Sequence, residues 1–108
     1  METKIYVFDL DGTLCETSKI GGAWDYMGAT PIPERIKKVN ELYDDGHTII
    51  VETARGCGSG RNWFYDTLEQ LKGWGLKFHS LRTGVKFGAD YFIDDRGINS
   101  EDFFNVRH

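Results

Sequence analysis

Short apolar runs alternate with stretches of helical periodicity along this chain, and this alternation constrains the fold more than any other feature of the sequence. Residues 4–8 (KIYVF) form a continuous run of β-branched and aromatic side chains, which is typical of a strand buried on both faces of a sheet. Residues 47–51 (HTIIV), 77–81 (KFHSL) and 91–93 (YFI) are predicted to form further strands. The sequence therefore predicts a sheet of short strands.

Two helices are predicted between these strands. The first begins at Pro33, a residue favoured at the start of a helix, and ends before Gly46, while the second covers about residues 61–72. Their inward faces follow from apolar residues at helical spacing, namely Ile36, Val39, Leu42, Tyr43, Phe64, Leu68 and Leu71. Strands that alternate with helices predict an α/β fold with a small, mainly parallel sheet, in the three-layer arrangement of Rossmann-like proteins.

Length and composition limit the classes of protein to consider. A chain of 108 residues allows one core, so we expect residues 1–108 to form a single domain. No run approaches the roughly 18 apolar residues of a membrane span, and the N-terminus has no signal-peptide pattern. Cys15 and Cys57 lack Cys-x-x-Cys spacing, which predicts reduced thiols in a cytoplasmic protein. The net charge of −4, without a basic block, argues against nucleic-acid binding.

Residues that could take part in catalysis or bind a ligand follow three of the predicted strands. Residues 9–13 (DLDGT) follow the first strand, residues 52–56 (ETARG) the second, and residues 94–96 (DDR) the fourth. In open parallel sheets, ligands bind beyond the carboxyl ends of the strands. We therefore expect these segments to meet at one edge of the sheet.

Four carboxylates at that edge would repel one another unless their charge is reduced or compensated. Asp9, Asp11, Asp94 and Asp95 would repel one another by several kcal/mol, so either their pKa values rise or a metal ion joins them. Mg²⁺ prefers carboxylate oxygens together with water and phosphate oxygens, and no His or Cys set has the spacing of a zinc site. The sequence predicts a magnesium site.

The motifs, in this order, resemble those of the haloacid dehalogenase (HAD) superfamily of phosphotransferases. FDLDGT is followed by a strand end that carries Thr53, then by a lysine, then by a late Asp-Asp pair, and the match spans nearly the whole chain. More narrowly, YVFDLDGTLC, PIPERI, TARG and YFIDDR resemble small HAD phosphatases linked to capsular-polysaccharide biosynthesis. The resemblance implies the HAD fold and hydrolysis of a phosphate monoester through an aspartyl-phosphate intermediate.

The resemblance also implies a role for each catalytic residue. Asp9 would attack phosphorus and bind Mg²⁺ with its other oxygen. Asp11 would protonate the leaving alcohol and then activate water, and its backbone carbonyl would bind the metal. Thr53 would donate a hydrogen bond to a phosphoryl oxygen, and Lys86 would neutralise the charge of Asp9 and phosphate.

The remaining implied residues surround phosphate and metal. Gly12 would let the chain turn sharply, so that amides near Leu10 and Gly12 face phosphate. Ala54 and Arg55 would complete the phosphate site, and the metal would take Asp94 as a direct ligand, with Asp95 bound to it directly or through water.

Several assignments have alternatives. Lys86 is followed by Phe87, where the family commonly has proline, so Lys77 or Arg55 could supply the same charge. Arg55 either contacts substrate or neutralises the acidic cluster. The aromatic residues Trp24, Tyr26 and Trp63 could line a substrate entrance, although in so small a domain we expect them to fill the core.

The substrate also has alternatives. The 18 residues between Leu14 and Pro33 are too few for a sizeable cap domain, so the site should be open. We expect a small phosphorylated metabolite, either a sugar or a nucleotide, with a neighbouring subunit as a candidate cover. The end of a glycan or nucleic acid is the alternative substrate. Other classes are a receiver-like phospho-acceptor domain and a silent binding module, but the order of the motifs favours the HAD phosphatase.

Overall fold

The computed structural model describes residues 2–57, 61–84, 91 and 96–105. Its strands are β1 (Ile5–Asp9), β2 (Cys15–Glu16), β3 (Lys19–Ile20), β4 (Ala23–Trp24), β5 (Thr30–Pro31), β6 (Thr48–Thr53) and β7 (Ser80–Thr83), and its helices are α1 (Pro33–Asp44), α2 (Phe64–Gly73) and α3 (Ser100–Asn105). Strands β1, β6 and β7 form a parallel sheet in the order β1-β6-β7. The predicted α/β fold with a small parallel sheet is confirmed.

The core lies against one face of this sheet. Phe8 is in register with Val51 of β6, which is in register with Leu81 of β7, so the three side chains share a face. Leu10, Leu14, Ile36, Val39, Ile49 and Leu71 belong to the same buried cluster. The helices therefore cover the face that carries Phe8, and Phe103 and Phe104 of α3 pack against its ring at centroid distances of 5.7 and 6.0 Å.

The opposite face of β1 is exposed. Ile5 is 70% exposed and Val7 is 55% exposed, whereas Phe8, the residue after Val7, is only 7% exposed. The prediction that this strand is buried on both faces is therefore wrong. A continuous apolar run does not distinguish a strand that is covered on both sides from one with a bare apolar face, because the residues alternate in direction in both cases.

Helix α1 begins at the predicted residue, Pro33. Ile36 and Val39 are buried, and the helix ends at Asp44, two residues before Gly46. Gly46 has a φ of +96°, in the left-handed region that glycine adopts without a steric penalty. The interpretation of Gly46 as the stop signal is confirmed.

Helix α2 begins at Phe64 rather than near residue 61. The side-chain oxygen of Asn62 accepts the amide hydrogen of Phe64 at 3.0 Å, which holds the preceding residues in a turn. Thr67 and Leu71 are the buried residues of this helix. Leu68, predicted to face inward, is half-buried against the core.

Strand β7 covers residues 80–83 rather than the predicted 77–81. The amide of Lys77 donates to the side chain of Asn40 on α1 at 2.8 Å, so this part of the chain packs on a helix before it enters the sheet. The amide of His79 then donates to the carbonyl of Ile49 at 2.8 Å. The predicted strand at residues 91–93 lies outside the described residues except for Tyr91, which is 84% exposed.

The segment between β1 and α1 contains two small antiparallel ladders, β2 with β5 and β3 with β4. Strands β3 and β4 form a hairpin whose turn is Gly21-Gly22, with φ values of +59° and +83°. Trp24 on this hairpin is 52% exposed, so the expectation that it fills the core is wrong. Tyr26 and Trp63 are partly buried and contact each other, with ring centroids 5.0 Å apart.

One-sided burial of β1 predicts different costs for adjacent substitutions. Phe8→Ala removes a buried ring and should lower the free energy of unfolding by about 3–5 kcal/mol. Val7→Thr alters an exposed side chain of the same strand and should change it by less than about 0.5 kcal/mol. Urea denaturation followed by circular dichroism measures both. Equal destabilisation by the two substitutions would contradict the one-sided core.

Candidate functional site

The carboxyl ends of the parallel strands meet at one edge of the sheet. Asp9 is the last residue of β1 and is in register with Glu52 of β6. Thr53 ends β6 and is in register with Thr83, the last residue of β7. Two of the predicted site residues, Asp9 and Thr53, therefore end neighbouring strands at the same edge.

A tight turn follows β1. The carbonyl of Leu10 accepts the amide hydrogens of Thr13 and Leu14 at 3.1 and 2.9 Å. Gly12 within the turn has a φ of +82°, which disfavours any residue with a Cβ atom. Leu10 itself is fully buried and anchors the turn to the core. The expected sharp turn at Gly12 is confirmed.

Asp11 in this turn forms a bidentate ion pair with Arg55, which follows β6. The Nε atom of Arg55 donates to Oδ2 of Asp11 at 3.0 Å, and its Nη2 atom donates to Oδ1 at 2.8 Å. The side chain of Arg55 is 0% exposed and that of Asp11 is 25% exposed. Two parallel hydrogen bonds fix the plane of the carboxylate as well as its position.

Two hydroxyl groups also donate to Asp11. Thr17 donates to Oδ1 at 2.6 Å, and Thr53 donates to Oδ2 at 3.4 Å. Burial by itself raises the pKa of Asp11, but hydrogen bonds from Arg55 and Thr17 and the charge of Arg55 outweigh burial, so the pKa lies below its ordinary value. Asp11 is therefore a carboxylate at neutral pH, with acceptor contacts on both oxygens.

Arg55 is held from behind by helix α2. Its Nη1 atom donates to the side-chain oxygen of Gln70 at 2.7 Å and to the hydroxyl of Thr67 at 3.3 Å. The ring of Tyr26 lies against the guanidinium, with 4.8 Å from the Cζ atom to the ring centroid. Of the two roles considered for Arg55, these contacts favour neutralisation of an acidic residue.

The contacts of this ion pair involve residues that no motif marks, namely Thr17, Tyr26, Thr67 and Gln70. One signal was present in the sequence: Thr67 lies three positions after Phe64 and four before Leu71 on α2, and Gln70 lies three positions after Thr67, so polar groups sit beside the inward face. A polar side chain there requires a buried partner. The identity of the partner is not encoded locally.

Both cysteines are free thiols, as predicted. Cys15 is fully buried, and its sulfur lies 3.6 Å from Oδ1 of Asp11. Burial raises the pKa of the Cys15 thiol to about 11, so the group is protonated at neutral pH. Cys57 is exposed. The pKa of Cys15 agrees with the expectation that it is not a nucleophile.

Three of the predicted site residues, Lys86, Asp94 and Asp95, lie outside the described residues, and their assignments stay predictions. Lys77, considered as a substitute for Lys86, pairs with Asp44 at 2.8 Å. Asp44 ends α1 before β6 begins, so this pair lies at the amino-terminal edge of the sheet, away from Asp9. Lys77 is therefore not positioned to supply charge at the candidate site.

The described part of the predicted metal site is compatible with magnesium. Under the resemblance, Asp9 would contribute a carboxylate and Asp11 a main-chain carbonyl, which are the hard oxygen donors that Mg²⁺ prefers. The carboxylate of Asp11 is engaged by Arg55, which agrees with the carbonyl as its implied metal ligand. Among the described residues, no group of three or more His, Cys, Asp or Glu side chains converges on a metal position.

A concave surface lies beside α1. Pro31, Ile36, Asn40 and Trp74 are among the residues that line this groove, and no predicted site residue is among them. The candidate catalytic residues therefore lie at the strand ends rather than in this groove.

The fold is similar to that of a crystal structure of a structural-genomics target from Vibrio cholerae, with a TM-score of 0.80 and 24% sequence identity. The match covers 97% of this chain and 90% of that chain. At this identity the similarity supports the fold alone. A scan against protein-family models gave no match, and neither did a comparison with curated proteins. Within the described ranges, no helix has the length and apolar character needed to cross a bilayer.

The burial of Arg55 predicts a large cost for removing its charge. Arg55→Met leaves Asp11 without its main partner and should lower the free energy of unfolding by about 3 kcal/mol. Arg61→Met provides the control, because the Arg61–Asp66 pair is 57% and 47% exposed and should contribute less than about 1 kcal/mol. Urea denaturation compares the two variants. A loss no larger for Arg55→Met than for Arg61→Met would contradict the assignment.

The two thiols should differ in reactivity. At pH 8, iodoacetamide should modify exposed Cys57 and leave Cys15 unmodified, because Cys15 is buried and its thiol has a pKa of about 11. Intact-mass spectrometry counts the adducts, and Cys57→Ser should then show none until denaturant is added. Rapid labelling of Cys15 in the folded Cys57→Ser variant would contradict the buried position.

Proposed function

We propose that this chain is a magnesium-dependent phosphomonoester hydrolase of the HAD type, which acts through an aspartyl-phosphate on Asp9. The observation that carries the proposal is the contact between the two motifs that the resemblance pairs. Asp11 of the DLDGT segment accepts hydrogen bonds from Thr53 and Arg55 of the ETARG segment, 42 and 44 residues away in the chain.

Asp9 is the proposed nucleophile. It ends β1, before the turn at Gly12, and the space beyond the strand end borders the carboxyl ends of the three parallel strands. A substrate phosphate in that space would lie beside the hydroxyl of Thr53, the last residue of the neighbouring strand. In-line attack by a carboxylate oxygen of Asp9 displaces the alcohol and leaves the phosphoryl group on Asp9.

Asp11 is the proposed acid and base. The departing alkoxide takes a proton from Asp11, and in the second step Asp11 takes a proton from the water that attacks the aspartyl-phosphate. The second step regenerates unphosphorylated Asp9 and releases inorganic phosphate. Its low pKa makes Asp11 a carboxylate in the resting enzyme, so it takes a proton from solvent before the first turnover, and the attacking water restores that proton in the second step.

Mg²⁺, when bound by Asp9 and the carbonyl of Asp11, supplies positive charge to the phosphoryl oxygens. Asp94, Asp95 and Lys86 belong to the same proposal through the resemblance.

A small phosphorylated sugar or nucleotide is the proposed substrate class. The segment between β1 and α1 contributes only short ladders, with a hairpin of four strand residues in β3 and β4, which agrees with the absence of a sizeable cap. The resemblance to phosphatases of capsular-polysaccharide biosynthesis favours a small metabolite over a macromolecular phosphate.

The proposal predicts metal-dependent turnover that depends on Asp9. The protein should hydrolyse 4-nitrophenyl phosphate with Mg²⁺, lose the activity with EDTA and regain it when Mg²⁺ is added in excess. Asp9→Asn removes the nucleophile and should lower kcat by at least about a thousandfold. Glu52 is in register with Asp9 and pairs with Arg82 at 3.5 Å. Glu52→Gln therefore removes a neighbouring carboxylate and should retain most of the activity.

Two results would reject the proposal. One is the absence of Mg²⁺-dependent turnover by the wild-type protein on a broad panel of phosphate esters. The other is retention of the wild-type rate by Asp9→Asn. If the protein instead becomes phosphorylated on Asp9 by a small phosphodonor and keeps the phosphoryl group without turnover, it is a phospho-acceptor domain rather than a hydrolase.

A further inference from the structure

Arg55 is built to fix the direction of one carboxylate. Its two hydrogen bonds to Asp11, at 3.0 and 2.8 Å, prevent rotation of the carboxylate about its Cβ–Cγ bond. A lysine ammonium would supply the same charge without this constraint, because it has no planar fork. The bidentate geometry therefore fixes the orientation of the Asp11 carboxylate in addition to compensating its charge.

The guanidinium is itself immobilised. Gln70 accepts its Nη1 hydrogen at 2.7 Å, and the side-chain nitrogen of Gln70 donates to the carbonyl of Tyr26 at 2.7 Å. Because Arg55 is 0% exposed and Tyr26 lies against its face, it cannot turn toward a substrate without breaking these contacts. Its role at this site is therefore exerted through Asp11.

The acceptor positions of Asp11 are unequally filled. Oδ1 accepts from Arg55 and from Thr17 at 2.6 Å, both within the ordinary range. Oδ2 accepts from Arg55, but its contact with Thr53 is 3.4 Å, which is longer than an ordinary O–H···O bond of about 2.5–3.0 Å. The acceptor position of Oδ2 on the side of Thr53 is therefore the least occupied.

We propose that Arg55 is a positioning residue that presents Oδ2 of Asp11 to the reacting groups. The inference rests on the proposed function and assigns the proton transfers to this oxygen. When a phosphoryl oxygen is present, the hydroxyl of Thr53 turns from Asp11 toward it, and Oδ2 becomes available for a proton. The proton then passes from Oδ2 to the leaving oxygen, and in the second step from water to Oδ2. Gln70 supports this orientation through Arg55.

Leaving-group dependence tests the inference. 4-Nitrophenol departs without a proton, whereas phenol departs more readily when an acid donates one, and kcat/KM reports the step in which the group leaves. Arg55→Lys should therefore lower kcat/KM for phenyl phosphate about tenfold more than for 4-nitrophenyl phosphate. Arg55→Met should show the same ratio, because neither side chain can orient the carboxylate.

Gln70 provides variants that leave the ion pair intact. Gln70→Leu removes the acceptor behind Arg55 and should shift the same ratio in the same direction by about threefold, while Gln70→Glu keeps an acceptor there and should restore it. Glu69→Leu, an exposed position on the same helix, is the control and should leave the ratio unchanged. If the Arg55 variants do not fold, the Gln70 pair decides the question.

The outcomes separate the two proposals. Turnover of both esters by the wild-type protein, with equal losses in the Arg55 and Gln70 variants, would overturn the positioning role and leave the phosphatase intact. A rise in KM alone would instead make Arg55 a phosphate contact and overturn the inference. No Mg²⁺-dependent turnover by the wild-type protein would reject both.

A crystal structure of the beryllofluoride complex provides an independent measurement, since beryllofluoride mimics a phosphoryl group on a carboxylate. We expect Arg55 to remain bidentate to Asp11, Thr53 to contact fluoride, and Oδ2 to be the Asp11 oxygen nearest the side of the beryllofluoride opposite its bond to Asp9. Arg55 in contact with fluoride, or Oδ1 in that place, would overturn the assignment.

Discussion

The ion pair between Arg55 and Asp11 is the constraint on which the arrangement of the site depends. A guanidinium removed from water requires a partner of opposite charge and acceptors for its remaining hydrogens, or the cost of burial is several kcal/mol. The protein provides both, with Asp11 on one side and Thr67 and Gln70 on the other. The turn after β1, the end of β6 and helix α2 therefore have one relative position in which this charge is satisfied.

The same turn is held from its other side by α1. Arg35 donates to the carbonyl of Thr13 at 2.9 Å and to the carboxylate of Glu101 at 2.9 Å, and its guanidinium lies over the ring of Phe104. Helix α1 thus contacts the loop that carries Asp11 through Arg35, and α3 binds the same arginine. Two arginines on different elements fix the loop, and the apolar cluster beneath it fixes the elements.

The sequence predicted features set by local chemistry and missed those set by distant partners. Pro33 and Gly46 marked the limits of α1 because proline and glycine have backbone preferences of their own. The start of β7 was misplaced because the amide of Lys77 binds Asn40, a contact that no local pattern encodes. The positions of Asp9 and Thr53 followed from the parallel sheet. The destination of Arg55 did not, because its acceptors come from two other segments, the turn that carries Asp11 and helix α2.

The hairpin of β3 and β4 has a consequence for how chains of this architecture can grow. Its strand residues are exposed, and so are the two glycines of its Gly21-Gly22 turn. Lengthening a loop costs little, about 0.6 kcal/mol for each doubling, when no buried contact is lost. Genetic insertion at this turn would add a lid, or a whole module, without rebuilding the core. This short ladder is thus a permissive point for evolutionary elaboration.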